Sequence, residues 1–240
     1  MTEYADDIAA ILARRYDNGA DYWATADGRI SKGSPFTTLE SVLMLSELGV
    51  EPADPALSGA AELIFAAQQT DGRFRVAPGG AIYPCHTINA ARALIHLGFV
   101  GDARLQITVR HLLSTVHDGG GWRCRKFSYG RGPETEFANP GPTLAGLDVF
   151  RLAGLNDRNA SLDAAVELLL GHWTTRVPLG PCHYGIGTLF MQVAYPFASY
   201  NLFFWVYVLS FYRRARNDPR FQEALHALQS TMVDRQIVVQ

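Results

Sequence analysis

Apolar residues recur at helical spacing along most of this chain, interrupted by short polar turns. Tyr4, Ile8, Ile11, Leu12 and Tyr16 share one face, with Asp6 and Asp7 in the first turn, where the helix dipole favours negative charge. Asn18-Gly19 stops that helix. Phe36, Leu39, Val42, Leu43 and Leu45 predict a second, ended by Leu48-Gly49, and Asp54-Pro55 caps and opens a third that runs to Gln69. The pattern then repeats. His86 to Leu97 is closed by Gly98, and Asp102 caps Ala103 to Val116. A helix from Pro140 ends at Ala153-Gly154, and Asp157 leads into Asn159 to Trp173. Tyr200 to Arg216 is followed by Asp218-Pro219, which opens Arg220 to Met232. The capping aspartates 54, 102, 157 and 218 are separated by 48, 55 and 61 residues, a period that marks a repeat array.

A glycine turn marks the centre of each repeat. His117-Asp118-Gly119-Gly120-Gly121-Trp122 precedes the helix from Pro140, Asp71-Gly72-Arg73-Phe74 precedes His86 to Leu97, and Asp27-Gly28-Arg29-Ile30 opens a weaker copy. The helices after these turns are poor in charge: His86 to Leu97 carries only Arg92, and Asn201 to Phe211 carries none. Those after the aspartate caps are amphipathic. A helix apolar all round must be buried on every side or face a cavity. The expected fold is therefore all-α: one domain over residues 1–240, an α/α toroid of four inner helices ringed by five outer ones.

Composition narrows the function classes. The net charge is −2 and no block of like charge is present, so neither nucleic acid nor an anionic membrane surface is expected as a partner. The longest apolar run, Leu202 to Tyr212, is shorter than the roughly 20 residues a membrane span needs. The acidic start, Met1 to Asp7, lacks the basic and apolar regions of a signal peptide. Three cysteines imply no disulfide framework, and a cytoplasmic location is the expectation.

Gln68-Gln69-Thr70-Asp71-Gly72-Arg73-Phe74 and His117-Asp118-Gly119-Gly120-Gly121-Trp122, each with the inner helix that follows, resemble the repeats of the squalene/hopene cyclase and protein prenyltransferase β-subunit superfamily. The resemblance spans nearly the whole chain and speaks for fold more than for activity. It implies a central apolar cavity. It also directs attention to the cysteines, which recur at the starts of inner helices: Cys85-His86, Cys124 and Cys182-His183. In a barrel those starts converge on one rim, and thiolates with an imidazole suit tetrahedral zinc. Zinc held by Cys85, Cys124, Cys182 and either His183 or His86 is one expectation, and three free core cysteines are the other. Four protein ligands would make such a zinc structural; three and an open position would make it catalytic. Protein prenyltransferases use Asp, Cys and His at such positions. Cys85-His86-Thr87 looks like part of that layout, but no Asp-x-Cys counterpart and no Asp-x-Asp-Asp cyclase acid is present.

Two further groups carry candidate chemistry. Arg123, Arg125, Lys126 and Arg131 follow Trp122 and could cradle phosphates, although loop arginines are commonly solvated. The stretch from His172 to Asn201, rich in glycine and aromatics, holds Tyr184 and Tyr200; with Phe203, Phe204, Trp205 and Tyr207 it could line an apolar cavity or simply fill the core. His86, Arg125, Tyr184, Tyr200 and Trp205 are thus the candidate substrate contacts. The leading expectation is a terpenoid-related protein that takes an isoprenoid-like small molecule. Its rival is a zinc-stapled scaffold that binds a peptide or partner protein. With four inner helices, closure of the ring by a second copy is a further expectation. Asp234 to Val239 has strand-like composition.

Overall fold

The computed structural model describes residues 3–31, 36–123, 137–234, 236, 237 and 239. Among these the architecture is all-α apart from one short hairpin. The chain divides into two compact units, Met1–His111 and Leu112–Gln240, with the boundary inside the helix Ala103–Ser114.

The first unit contains α1 (Ala5–Ala13), α2 (Thr38–Glu47), a 3-10 turn at Pro55–Leu57, α3 (Ala60–Ala66), α4 (Pro84–His96) and most of α5 (Ala103–Ser114). Asp102 opens α5 as expected, whereas Asp54 caps only the 3-10 turn and α3 starts separately at Ala60, so the single helix expected from Asp54 to Gln69 is divided. Asp54 accepts from the Ala56 amide and Asp102 from the Arg104 amide, both at 2.8 Å. Gly49 and Gly98 end α2 and α4 at φ +82° and +89°, the left-handed geometry that glycine adopts without strain. The turn at Gly72 is fixed from two sides. A Cβ on Gly72 would lie 2.8 Å from the Thr108 amide nitrogen, so the turn packs directly on the backbone of α5. The Phe74 amide then donates to the Thr87 hydroxyl in the first turns of α4, at 3.1 Å.

The second unit repeats this device. It contains α6 (Pro140–Leu152), α7 (Ala160–Thr175), α8 (Thr188–Met191), α9 (Leu202–Leu209), α10 (Arg213–Arg216), α11 (Pro219–Gln229) and the hairpin β1 (Met232–Val233) and β2 (Gln236–Ile237). A Cβ on Gly120 would sit 2.2 Å from the Ala164 carbonyl oxygen of α7. The Trp122 amide donates to the Thr143 hydroxyl at 3.2 Å, and its indole donates to the Leu112 carbonyl at 2.9 Å. Thr87 and Thr143 hold the same position in their helices, the fourth residue. In the weaker first copy that position is Ser41, whose buried hydroxyl is unpartnered, and the Ile30 amide bonds to the Val76 carbonyl instead.

Three further details differ from expectation. Asn159, not Asp157, caps α7, accepting from the Ser161 amide at 2.8 Å; Asp157 accepts from the Arg213 amide across the unit. The expected helix from Tyr200 to Arg216 is broken between α9 and α10. There Tyr212 leaves helical geometry to bury its ring completely and donates its hydroxyl to the Leu147 carbonyl of α6 at 2.5 Å. The short α8 inside the long loop was not legible in the pattern. The strand-like C-terminal composition does form an antiparallel pair, Met232 with Ile237. Among the described residues, no helix is long and apolar enough to cross a membrane.

Candidate functional site

The residues singled out in the sequence fall into three groups. In the first unit, Cys85 is the partly exposed second residue of α4, and His86 is buried beside it with its ring 5.4 Å from that of Tyr83. In the second unit, Cys182 and His183 are exposed, while Tyr184, Tyr200 and Trp205 lie deeper. Cys124 and Arg125, with Lys126 and Arg131, lie outside the described residues. Among the described residues no group of three or more His, Cys, Asp or Glu side chains is gathered in a way that could hold a metal ion.

Cys182 and His183 occupy the tip of a tight hairpin. Leu179 and Tyr184 exchange backbone hydrogen bonds across it, and the His183 amide closes the turn on the Gly180 carbonyl. The turn needs left-handed backbone at both ends, Gly180 at φ +72° and His183 at φ +53°; the second is costly for a residue with a Cβ. The hairpin seats on the start of α6. Gly180 lies against Asn139, where a Cβ would come within 3.2 Å of the amide oxygen, and the Tyr184 ring covers Gly141 so closely that a Cβ there would overlap it at 2.5 Å.

Behind the hairpin is a packed aromatic group. The Tyr184 and Tyr200 rings meet edge to face at 5.3 Å, and Phe190 is 5.0 Å from Tyr200. His172, on α7, is buried beneath them. Its Nε2 lies 2.9 Å from the Val177 carbonyl and its Nδ1 2.7 Å from the Tyr200 hydroxyl. Burial holds the His172 imidazole below its ordinary pKa, although the bond to Val177 works the other way. Burial, with Tyr184 nearby, holds the Tyr200 hydroxyl well above the usual tyrosine range. Trp205 is fully buried, between Trp173 at 5.7 Å and Phe221 at 6.2 Å. Trp205 and Phe204 are therefore core.

The opposite face of α9 is different. Phe197, Phe203, Tyr207 and Phe211 form a continuous ladder with successive ring centroids at 4.8, 5.9 and 5.4 Å. Tyr207 of α9 is 42% exposed and Phe211, in the turn that follows, 37%; α9 itself carries no charged residue. Arg151 of α6 lies over both of these rings, 4.9 and 4.7 Å from their centroids, and its charge is balanced by Asp148, which is 1% exposed and 2.5 Å from its guanidinium. Phe203 and Tyr207 were visible in the sequence as aromatic-wall candidates. Phe211 was missed, although the spacing of 203, 207 and 211 by four residues carries it.

A separate cleft of about 410 Å3 lies among α7, α10 and α11, lined by Asp157, Asp163, Arg213, Arg214, Asn217 and Asp218. It is polar, unlike the aromatic surfaces. Glu167 beside it pairs with Arg214 and Arg220 at 2.8 Å.

No family model matches the chain, and no curated protein matches it. A solved structure of a protein from Actinoplanes is similar to it with a TM-score of 0.59, over 95% of this chain and 67% of that one, at 19% sequence identity. A likeness at that identity concerns the fold alone.

Proposed function

We propose that the chain is an α/α toroid of the prenyltransferase and squalene-cyclase kind that holds an apolar, isoprenoid-like small molecule against the face of α9 that carries Phe203 and Tyr207. The observation that carries the reading is the ladder of Phe197, Phe203, Tyr207 and Phe211. Within it Tyr207 and Phe211 expose aromatic surface at the C-terminal end of α9, the most apolar helix among the described residues, and such surface is costly in water. In a toroid, the free face of an inner helix is the wall of the central cavity. The paired Asp148 and Arg151 leave that wall close to neutral, which suits an uncharged hydrocarbon body. The test is titration of the full chain with farnesol, followed by intrinsic fluorescence. Saturable binding is expected, weakened about tenfold by Tyr207→Ala, since a lost aromatic contact is worth roughly 1–2 kcal/mol. Absence of saturable binding to the wild-type protein overturns the proposal.

A second reading, a scaffold for a peptide or partner protein, is favoured by the burial of Trp205 and Phe204, which fill space rather than line it. Copurification of a stoichiometric partner with no bound lipid would select it. Zinc at Cys85, Cys124, Cys182 and His183 accompanies either reading as a separate proposal. Metal analysis of the purified protein tests it, with Cys85→Ser and Cys182→Ser each expected to lose a stoichiometric metal; a metal-free wild-type protein removes it.

A further inference from the structure

The polar cleft among α7, α10 and α11 lies where the expected helix from Tyr200 to Arg216 breaks. Tyr212 turns inward to Leu147, and α10 restarts at Arg213, whose amide is held by the Asp157 carboxylate at 3.0 Å. Because Asn159 caps α7, Asp157 is released from that role and lines the cleft instead.

Part of the lining is already paired. Arg214 is bound to Glu167 at 2.8 Å and Asp218 to Arg220 at 2.7 Å, and Arg220 also reaches Glu167 at 2.8 Å. Those four charges cancel. The others do not. Among the described residues, the Arg213 guanidinium and the Asp163 carboxylate have no hydrogen-bond or ion-pair partner, and Asp157 has only the Arg213 amide. Two carboxylates and one guanidinium therefore line one space without neutralising each other. On a convex surface such charges are simply hydrated. Here they line a concavity of about 410 Å3, within the size range of small-molecule sites. The complement of this lining is a small molecule with one anionic and two cationic groups.

We infer that the cleft binds a free basic amino acid, its α-carboxylate on Arg213 and its two cationic groups on Asp157 and Asp163. Guanidinium–carboxylate and ammonium–carboxylate contacts are charge-assisted, and Asn217 adds a neutral donor and acceptor in the same cleft. The ligand class follows from the charges left over in this cleft and owes nothing to the aromatic face of α9. The site therefore stands or falls separately from the apolar-ligand proposal.

The test is calorimetric titration of the full chain at constant ionic strength with three probes: L-lysine, cadaverine (lysine without its carboxylate) and norleucine (lysine without its side-chain ammonium). Saturable binding of lysine in the millimolar range or tighter is expected, with each analogue weaker by about fivefold, the scale of one exposed charge pair. Arg213→Gln is expected to bind lysine and cadaverine equally. Asp163→Asn is expected to weaken lysine by about fivefold while keeping its advantage over cadaverine. Both side chains are exposed, so neither substitution threatens the fold. Absence of saturable lysine binding to wild type overturns the inference. Equal binding of lysine and either analogue by wild type overturns it too, as does a preference for lysine over cadaverine that persists in Arg213→Gln.

Discussion

Replacing Gly120 by alanine isolates the contact that ties its glycine turn to α7. Two costs add. At φ +89° an alanine is strained by about 1–2 kcal/mol. Its Cβ would also lie 2.2 Å from the oxygen and 2.6 Å from the carbon of the Ala164 carbonyl. Those atoms belong to the interior of α7 and cannot swing away, so overpacking adds about 1–3 kcal/mol. The sum, about 2–5 kcal/mol, corresponds to a fall in melting temperature on the order of 10 °C for a chain of this size. Gly154→Ala is the control. Its φ is +69°, yet nothing lies within 4 Å of the added Cβ, so only the backbone strain of about 1–2 kcal/mol applies. Urea unfolding followed by circular dichroism measures both variants against wild type. If the two substitutions cost the same, the turn does not pack on α7 as described and the repeat device loses its physical basis.

Acid should weaken the second unit through His172. Because the fold depresses its pKa, the unfolded chain takes up the proton first, and stability falls as pH drops below about 6.5. His111 in the first unit is shifted the same way by burial, so His172→Gln should reduce the pH dependence of the urea midpoint between pH 5 and 7.5 without abolishing it. Unchanged dependence would count against the burial of His172. Asp148→Asn leaves Arg151 without its counter-charge and should cost about 3–5 kcal/mol in urea, close to the cost of breaking a buried pair. A cost under about 1 kcal/mol would show the pair to be effectively solvated. Glu167→Gln removes an exposed partner of Arg214 and Arg220 and should cost under about 1 kcal/mol, vanishing in high salt.

Helices and their ends were legible where the signal is local. Leu48-Gly49, Leu97-Gly98 and Ala153-Gly154 end helices because left-handed glycine is a property of the turn itself. Asp102 and Asp218 cap their helices, and Asp54 its 3-10 turn, for the same kind of reason. At Asp157 two capping residues stood two positions apart, and the choice of Asn159 depended on Arg213, far along the chain. The break before α10 was illegible because its cause is the burial of Tyr212 against Leu147. The aromatic stretch was visible as a composition, but composition does not divide it. Trp205 and Tyr207 are two residues apart on one helix, one sealed in the core and the other open.

The bond between His172 and Val177 fixes where a hydrogen sits at the other end of the ring. A carbonyl can only accept, so Nε2 carries the proton, and neutral Nδ1 is left with a lone pair. The Tyr200 hydroxyl must then point its own hydrogen inward, to Nδ1. Anything that reaches this phenol from outside finds only an oxygen lone pair: Tyr200 can welcome a donor, but it has no proton to give away.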